Sequence, residues 1–442
     1  MKATVALQLD KHPLLQPETG LDTSAYVELA RRVVAGDLAL GPGLYYVSPL
    51  YIYFLAVVYG ATKSFTAVRI VQAALGTCAV LFVFLTAREW FGKRAAWIAA
   101  VLLALTGVVT WYETLLLQSS LDVALTALAL WLLTLALRRD SARIALLAGV
   151  TFGVASLNRP NLFAAAVLIA LLLVVLRRWR SGVLLAIGVV VGLAPVTLRN
   201  IVVANQWSLV SSHGGINFYI GNGEGATGYF HAVPGMRSTV EGLAGDARRI
   251  AEQAQGRRLT DAEVSSYYSG LAWRWIRAHP FAWIRLLLWK TYGVFNAAHL
   301  SIPFSYTFYA YDAGTLLRVL FIGPWLLIPL GLFGLATRRP LDRAYLAWLS
   351  FVPAYTASVV LFFITERYKL PLYVAFAIGA GAAVDALMTR ERRRVAMSIA
   401  VLALLAIACN WPLGLDDGRT EERVRMAEHH ARRGEVDEAE RW

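Results

Sequence analysis

Sulfur is scarce in this chain. Its 442 residues include two cysteines, Cys78 and Cys409, and five methionines. Both cysteines lie in apolar runs, which argues against a disulfide framework or a thiolate metal site. Charge is thin too. Only 16% of residues are Asp, Glu, Lys or Arg, where a soluble domain carries about a quarter. No H-E-x-x-H, Walker lysine motif, G-x-S-x-G or cysteine–histidine zinc spacing occurs. A soluble hydrolase and a nucleotide-driven pump therefore lack support. Acids are the scarcer sign, 29 against 42 Lys and Arg, for a net charge of +13. A nucleic-acid binder shows a similar balance, so the placement of the charges decides.

Apolar residues are abundant, at 58%, with 14 Trp and 19 Tyr. A membrane span needs roughly 20 mostly apolar residues. Ten stretches qualify: 66–87, 95–112, 116–137, 143–158, 161–176, 182–198, 315–336, 344–363, 370–388 and 395–411. Residues 44–60, interrupted by Pro49, and 281–298, with Arg285 and Lys290, read better as interfacial helices. The connections 88–94, 138–143, 177–181, 337–343 and 389–394 each carry three or four Lys/Arg, whereas the alternate connections carry few. The positive-inside rule makes the first set cytoplasmic. The net charge is thus a topology signal, and no nucleic-acid partner is expected.

This orientation puts Asp22, Glu113, Arg159, residues 199–314, Arg367 and the C-terminus on the outer face. An even number of spans places Met1 there as well. Residues 1–21 hold neither a span nor a signal peptide, so a first transmembrane helix is expected upstream of Met1. The divisions are a membrane module with the first outer loop (1–198), a large outer-face loop with interfacial helices (199–314), C-terminal spans (315–411) and a tail (412–442). The tail, AEHHARRGEVDEAERW at 427–442, is helical and polar. Its small residues and Trp442 resemble the opening of a tetratricopeptide repeat.

The candidate polar residues each admit a plain reading. Asp22, in LDTSAYVELARRV, caps a helix or acts as general base or metal ligand at the membrane surface. Tyr26 pairs with it at i, i+4. Glu113, in TWYETLLLQ, is a solvated turn residue or a functional acid. Arg159, in SLNRPN, snorkels to headgroups or holds a lipid phosphate. Arg367 and Lys369, in TERYKLPLY, pair with Glu366 or bind an anion at a helix start. In GGINFYIGNGEGATGYF, Asn217, Tyr219 and Asn222 are turn residues or sugar contacts.

The last stretch contains a literal G-x-G-x-x-G at Gly223–Gly228. A dinucleotide fingerprint follows a strand and opens a helix. Here FYI is compatible with a short strand, but YFHAVPGM follows with no helical pattern. The glycines suit tight turns in a loop over the membrane.

The order of LDTSAYVELA, PLYIYFLAVVYG, the outer YE turn, SLNRPN, APVTLRN, GGINFYIGN and ERYKLPLY resembles the membrane-embedded GT-C glycosyltransferases. The resemblance is to bacterial relatives of protein O-mannosyltransferases, glycosyltransferase family 39, and covers nearly the whole chain. It implies a mainly α polytopic fold in a bacterial inner membrane, with the site facing the periplasm. It also implies transfer of a sugar from a polyprenyl-phosphate carrier to a protein, lipid or glycan hydroxyl, with inversion. Asp22 would be the base, Glu113 would position acceptor or metal, and Arg159, Arg367 and Lys369 would neutralise the departing phosphate. The resemblance fixes no cofactor, and a divalent metal is the one candidate. Many relatives carry two adjacent acids where this chain has Asp22 followed by Thr23. Rival readings are a transporter or flippase of a lipid-linked saccharide, marked by charges in mid-span, and a non-catalytic scaffold for tetratricopeptide repeats.

Overall fold

The computed structural model describes residues 1–17, 21–237, 239–302, 304–337, 342–389 and 392–442. Of the basic residues used to orient the chain, Arg338, Arg339 and Arg390 lie outside these, and the side chains of Arg392, Arg393 and Arg394 are not described. The described residues form 21 α-helices and no strand.

The N-terminal part begins with α1 (Lys2–Leu9), α2 (Leu21–Val34) and α3 (Pro49–Thr62). It continues through α4 (Phe65–Phe91), α5 (Lys93–Ala104), α6 (Gly107–Thr114), α7 (Ser119–Arg138), α8 (Ala142–Asn158), α9 (Asn161–Val175) and α10 (Trp179–Val202). Helices α11 (Gly214–Asn222), α12 (Val240–Gln255), α13 (Asp261–Ala278) and α14 (Pro280–Phe295) follow. The rest comprises α15 (Pro324–Thr337), α16 (Arg343–Leu349), α17 (Phe351–Val360), α18 (Glu366–Thr389), α19 (Arg392–Cys409), α20 (Arg419–Arg432) and α21 (Val436–Arg441).

Four helices are long and apolar enough to cross a membrane: α4, α7, α10 and α18. Shorter apolar helices include α3, α8, α9, α15 and α19. With no water in hydrocarbon to satisfy backbone groups, a helical bundle is the solution such a composition permits. The chain is a multi-pass membrane protein.

Two expected spans are broken. The 95–112 run divides between α5 and α6, because Gly107 N–H donates to Ile322 O at 3.1 Å. A Cβ at Gly107 would stand 2.7 Å from Leu320 O, so only glycine permits this approach. The 344–363 run divides at Ser350 into α16 and α17. The 315–336 run starts as a short 3-10 turn at 316–319 before α15.

Glycine also sets a close helix contact. Gly149 and Gly153 of α8 face Gly188 and Gly192 of α10. A Cβ at Gly153 would fall 2.4 Å from Val189 O, and one at Gly188 2.2 Å from Leu146 O. Lipid tails are as apolar as Leu, so dispersion between closely approaching backbones drives such pairs.

Residues 199–314 are mostly helix. GGINFYIGN is α11, not a strand followed by turns. Only the glycines after it take positive φ, Gly225 at 76° and Gly228 at 94°. Helices α11, α12 and α13 share a small core of Ile216, Ile220, Ala247, Ala251 and Tyr268, closed by Phe363. Thr260 and Glu263 form a capping box that starts α13.

Helices α20 and α21 form a pair joined through Gly434, whose φ is 74°. They dock on the 305–312 segment. Glu422 is buried and accepts from Ser305 N–H at 3.2 Å and Tyr309 O–H at 3.4 Å. Arg419 and Arg423 both bind Asp312, at 2.8 and 3.1 Å. Trp442 packs on Phe308, with ring centroids 5.5 Å apart.

Candidate active site

Each of the short polar motifs pins one wall of a shared region. In SLNRPN, Asn158 Nδ2 donates to Gln118 O at 2.8 Å and to Asp122 Oδ1 at 2.9 Å. Arg159 follows at the C-terminus of α8, and its Nε donates to Asp122 Oδ2 at 2.7 Å. Both charges are buried, and such pairs hold only with close geometry and satisfied hydrogen bonds. Asn161 Nδ2 reaches across to Ser358 O at 2.9 Å. In APVTLRN, Arg199 donates to the carbonyls of Ala39, Leu40 and Gly43 at 2.7–2.8 Å. That clamp holds the loop carrying Tyr46 and Ser48.

ERYKLPLY begins α18 and splits its charges in two directions. Arg367 Nη1 meets Asp22 Oδ2 at 2.5 Å. Lys369 turns away to Glu366 at 3.1 Å and to the carbonyls of Asn296 and Ala298 at 3.0 Å. Between them Tyr368 lies under two guanidiniums, Arg159 at 4.8 Å and Arg367 at 5.7 Å. A ring so placed is a cation–π platform.

Two cavities meet at this point. One, of about 480 Å³, is lined by Asp22, Tyr26, Tyr46, Asn217, His231 and Arg367, among others. The tail contributes Asp416, Gly418, Glu421 and Arg425 to its wall. The other, of about 520 Å³, has an apolar side from Pro160, Phe163, Ala164, Leu193 and Leu361. Its second side is rich in serine, including Ser208, Ser211 and Ser265, with Arg159 alongside. Ser48, Gln118, His213, Asn217 and Tyr368 line both.

Buried polar atoms facing the first cavity lack partners among the described residues: Tyr46 Oη, His231 Nδ1 and Arg367 Nε. Such atoms are costly unless a polar group meets them. Burial pushes the Tyr46 phenol upward, and Asp22 adds to this, so it remains a neutral donor. Burial lowers the His213 imidazole, which favours its neutral form. Its Nδ1 lies 3.1 Å from Ser211 Oγ.

Of the residues singled out from sequence, Asp22, Tyr26, Asn217, Arg367 and Arg159 converge on these cavities. The other four lie elsewhere. Glu113 is buried against Lys2 of α1, its oxygens 2.6 and 2.7 Å from Nζ. Lys369 serves the pair with Glu366. Tyr219 packs on Tyr268 beside the α11–α13 core. Asn222 receives Trp283 Nε1 and Lys290 Nζ, both at 3.0 Å. Asp122, unremarked in the sequence, had a usable signal: it is an acid inside the 116–137 apolar run, and such residues are costly unless partnered. Tyr46, Gln118, Tyr368 and the tail residues carry no local signal, because distant chain segments bring them in.

Among the described residues, no three of His, Cys, Asp and Glu gather as a metal-binding group. Asp22 faces a guanidinium rather than a second carboxylate. The other acids on that cavity wall among the described residues, Asp416 and Glu421, form no such group with it.

Residues 46–199 match the family model described as dolichyl-phosphate-mannose-protein mannosyltransferase. No curated protein matches the chain. Among solved structures, the oligosaccharyltransferase of Archaeoglobus fulgidus in complex with zinc and sulfate is similar at 16% identity, with a TM-score of 0.50. That match covers 97% of this chain and 55% of the other. The apo form of the same enzyme gives 15% identity and a TM-score of 0.50, covering 97% and 57%. ArnT from Cupriavidus metallidurans bound to undecaprenyl phosphate is similar at 16% identity and a TM-score of 0.38, covering 96% and 89%. The chain thus spans little more than half the length of the archaeal enzyme, and the likeness to it establishes the GT-C fold.

Proposed function

We propose that this chain, which has the GT-C fold and a region of the mannosyltransferase family over residues 46–199, transfers a sugar from a polyprenyl-phosphate carrier to an acceptor hydroxyl. The observation that carries this reading is the Asp22–Arg367 pair on the wall of a polar cavity that adjoins a half-apolar one. Displacement at an anomeric carbon needs a base on one side and stabilised negative charge on the other. The polar cavity carries a group for each, Asp22 and Arg367.

In this reading the carrier enters along Pro160, Phe163 and Leu193, and its phosphate reaches Arg367. The phosphate competes for the guanidinium and loosens its hold on Asp22. The freed carboxylate takes the proton of the acceptor hydroxyl, whose oxygen bonds to the anomeric carbon. The bond from that carbon to the phosphate oxygen breaks, and its electron pair leaves with the carrier phosphate. Transfer inverts the sugar and needs no covalent enzyme intermediate. Arg159, already balanced by Asp122, positions Tyr368 instead of supplying free charge. The reaction needs no cofactor beyond the charged carrier. The acceptor is a hydroxyl of a protein, lipid or glycan. The site faces the periplasm of a bacterial inner membrane, as the arginine distribution indicates.

The test is transfer from radiolabelled carrier sugars by the full chain in proteoliposomes. Loss of a general base costs on the order of 10²–10⁴-fold, so Asp22→Asn should lower the rate by at least about 100-fold. Undiminished transfer in the variant removes Asp22 from the reaction. No transfer by the parent across a panel of carrier sugars overturns the function.

A further inference from the structure

A third cavity lies at the end of the bundle opposite Asp22. Helix α7 runs from beside Gln118 to Arg138, and its 20 residues span about 30 Å. At that far end is a concavity of about 380 Å³, lined by Arg138, Arg177, Arg178 and Arg343, with Asp342 as its single acid. The arginines come from the ends of α7 and α9 and the start of α16, so the cluster is tertiary as well as sequential.

Two acids lie nearby. Asp342 Oδ1 caps α16 by accepting from Tyr345 N–H at 2.7 Å. Asp140 pairs with Arg178 at 3.3 Å, but its side chain is 80% exposed, and an exposed pair offsets little charge. Arg178 also donates to Leu137 O at 3.0 Å, which fixes its fork. Arg138 stacks over Trp90 at 5.5 Å. Arg177 and Arg343 have no ion pair among the described residues. Beside this pocket the chain presents exposed Val174, Val175 and Trp179. The surface therefore pairs fixed cations with an apolar wall along α9.

We propose that this cavity binds the headgroup phosphate of an anionic phospholipid, whose acyl chains lie along Val174, Val175 and Trp179. Guanidinium forks match phosphate oxygens in pairs, and basic pockets between membrane helices suit acidic headgroups. The site is separate from the sugar-transfer cavities and does not depend on that function.

The experiment is native mass spectrometry of the detergent-purified full chain, titrated with phosphatidylglycerol or phosphatidylcholine. Preferential retention of phosphatidylglycerol is expected. The double variant Arg177→Ala/Arg343→Ala should lower it on the order of tenfold. Arg139→Ala, exposed and outside the lining, should leave retention unchanged. Should the double variant fail to fold, Arg177→Gln and Arg343→Gln taken singly should each lower retention severalfold. Millimolar inorganic phosphate should not displace the lipid. Displacement would show a free-anion site and overturn the proposal. Equal retention of both lipids, or undiminished retention in the variants, overturns it as well.

Discussion

At the scale of single residues, the molecule separates two kinds of paired charge. Asp22 and Arg367 line a cavity, and the arginine keeps a buried Nε unpaired among the described residues. Lys2–Glu113 and Lys369–Glu366 lie away from both cavities, and their donors also reach backbone carbonyls. Removing one partner of a buried pair strands the other charge at a cost of about 3–5 kcal/mol. Glu113→Gln should therefore lower the thermal unfolding temperature markedly. Transfer per folded molecule should stay within about twofold, since Glu113 touches neither cavity. A loss of turnover with unchanged unfolding would place Glu113 in the chemistry.

At the scale of elements, the glycine faces of α8 and α10 deliver Arg159 to its place. Helix α8 ends at Asn158, so its axial position sets the height of the Arg159–Asp122 pair. A leucine at Gly153 would press into Val189 O and the Gly192 backbone. Overpacking of this kind costs about 1–3 kcal/mol, sometimes more. Gly153→Leu should lower both unfolding temperature and turnover. Gly270→Ala, at an open helical position in α13, should be neutral or stabilising by roughly 0.5–1 kcal/mol. Unfolding curves in detergent compare the two directly, and equal effects would dismiss the close-packing account.

At the scale of the whole molecule, the tail closes one side of the polar cavity while anchored by a buried acid. Burial pushes the Glu422 carboxyl up to about 7, against the hydrogen bonds and the Arg425 charge that favour its ionised form. The folded value lies above the unfolded one, so the docked tail binds more protons than the released tail. Its docking is therefore strongest below the unfolded carboxyl range and weakens as pH rises toward and through about 7. A shift of this size corresponds to at most about 3 kcal/mol. Hydrogen exchange across 419–432 should be slower at pH 5.5 than at pH 8, after correction for intrinsic rates. Glu422→Gln should flatten the difference. A pH dependence unchanged in that variant would rule out Glu422 as its source.

Much of this was legible from the chain alone, for a physical reason. Hydrocarbon tolerates only internally bonded backbone, so long apolar runs report helices directly. Asp22, Arg159 and Arg367 stood out because isolated charges between such runs are costly without a purpose. Local pattern had no access to partners. Arg367 and Lys369 are two residues apart and alike in charge, yet one turns to Asp22 and the other to Glu366. Nothing in TERYKLPLY distinguishes them, since the difference comes from what α2 and the 296–298 segment bring alongside. GGINFYIGN looked like loop because glycine disfavours helix, but packing on α13 overrides that preference: Gly215 N–H donates to Ser265 Oγ at 2.9 Å. Composition and charge spacing determined a multi-pass helical protein and singled out Asp22, Arg159 and Arg367 as candidates. Only tertiary structure decided which of those charges face a cavity and which brace the scaffold, because that choice depends on contacts between helices that local sequence pattern does not encode.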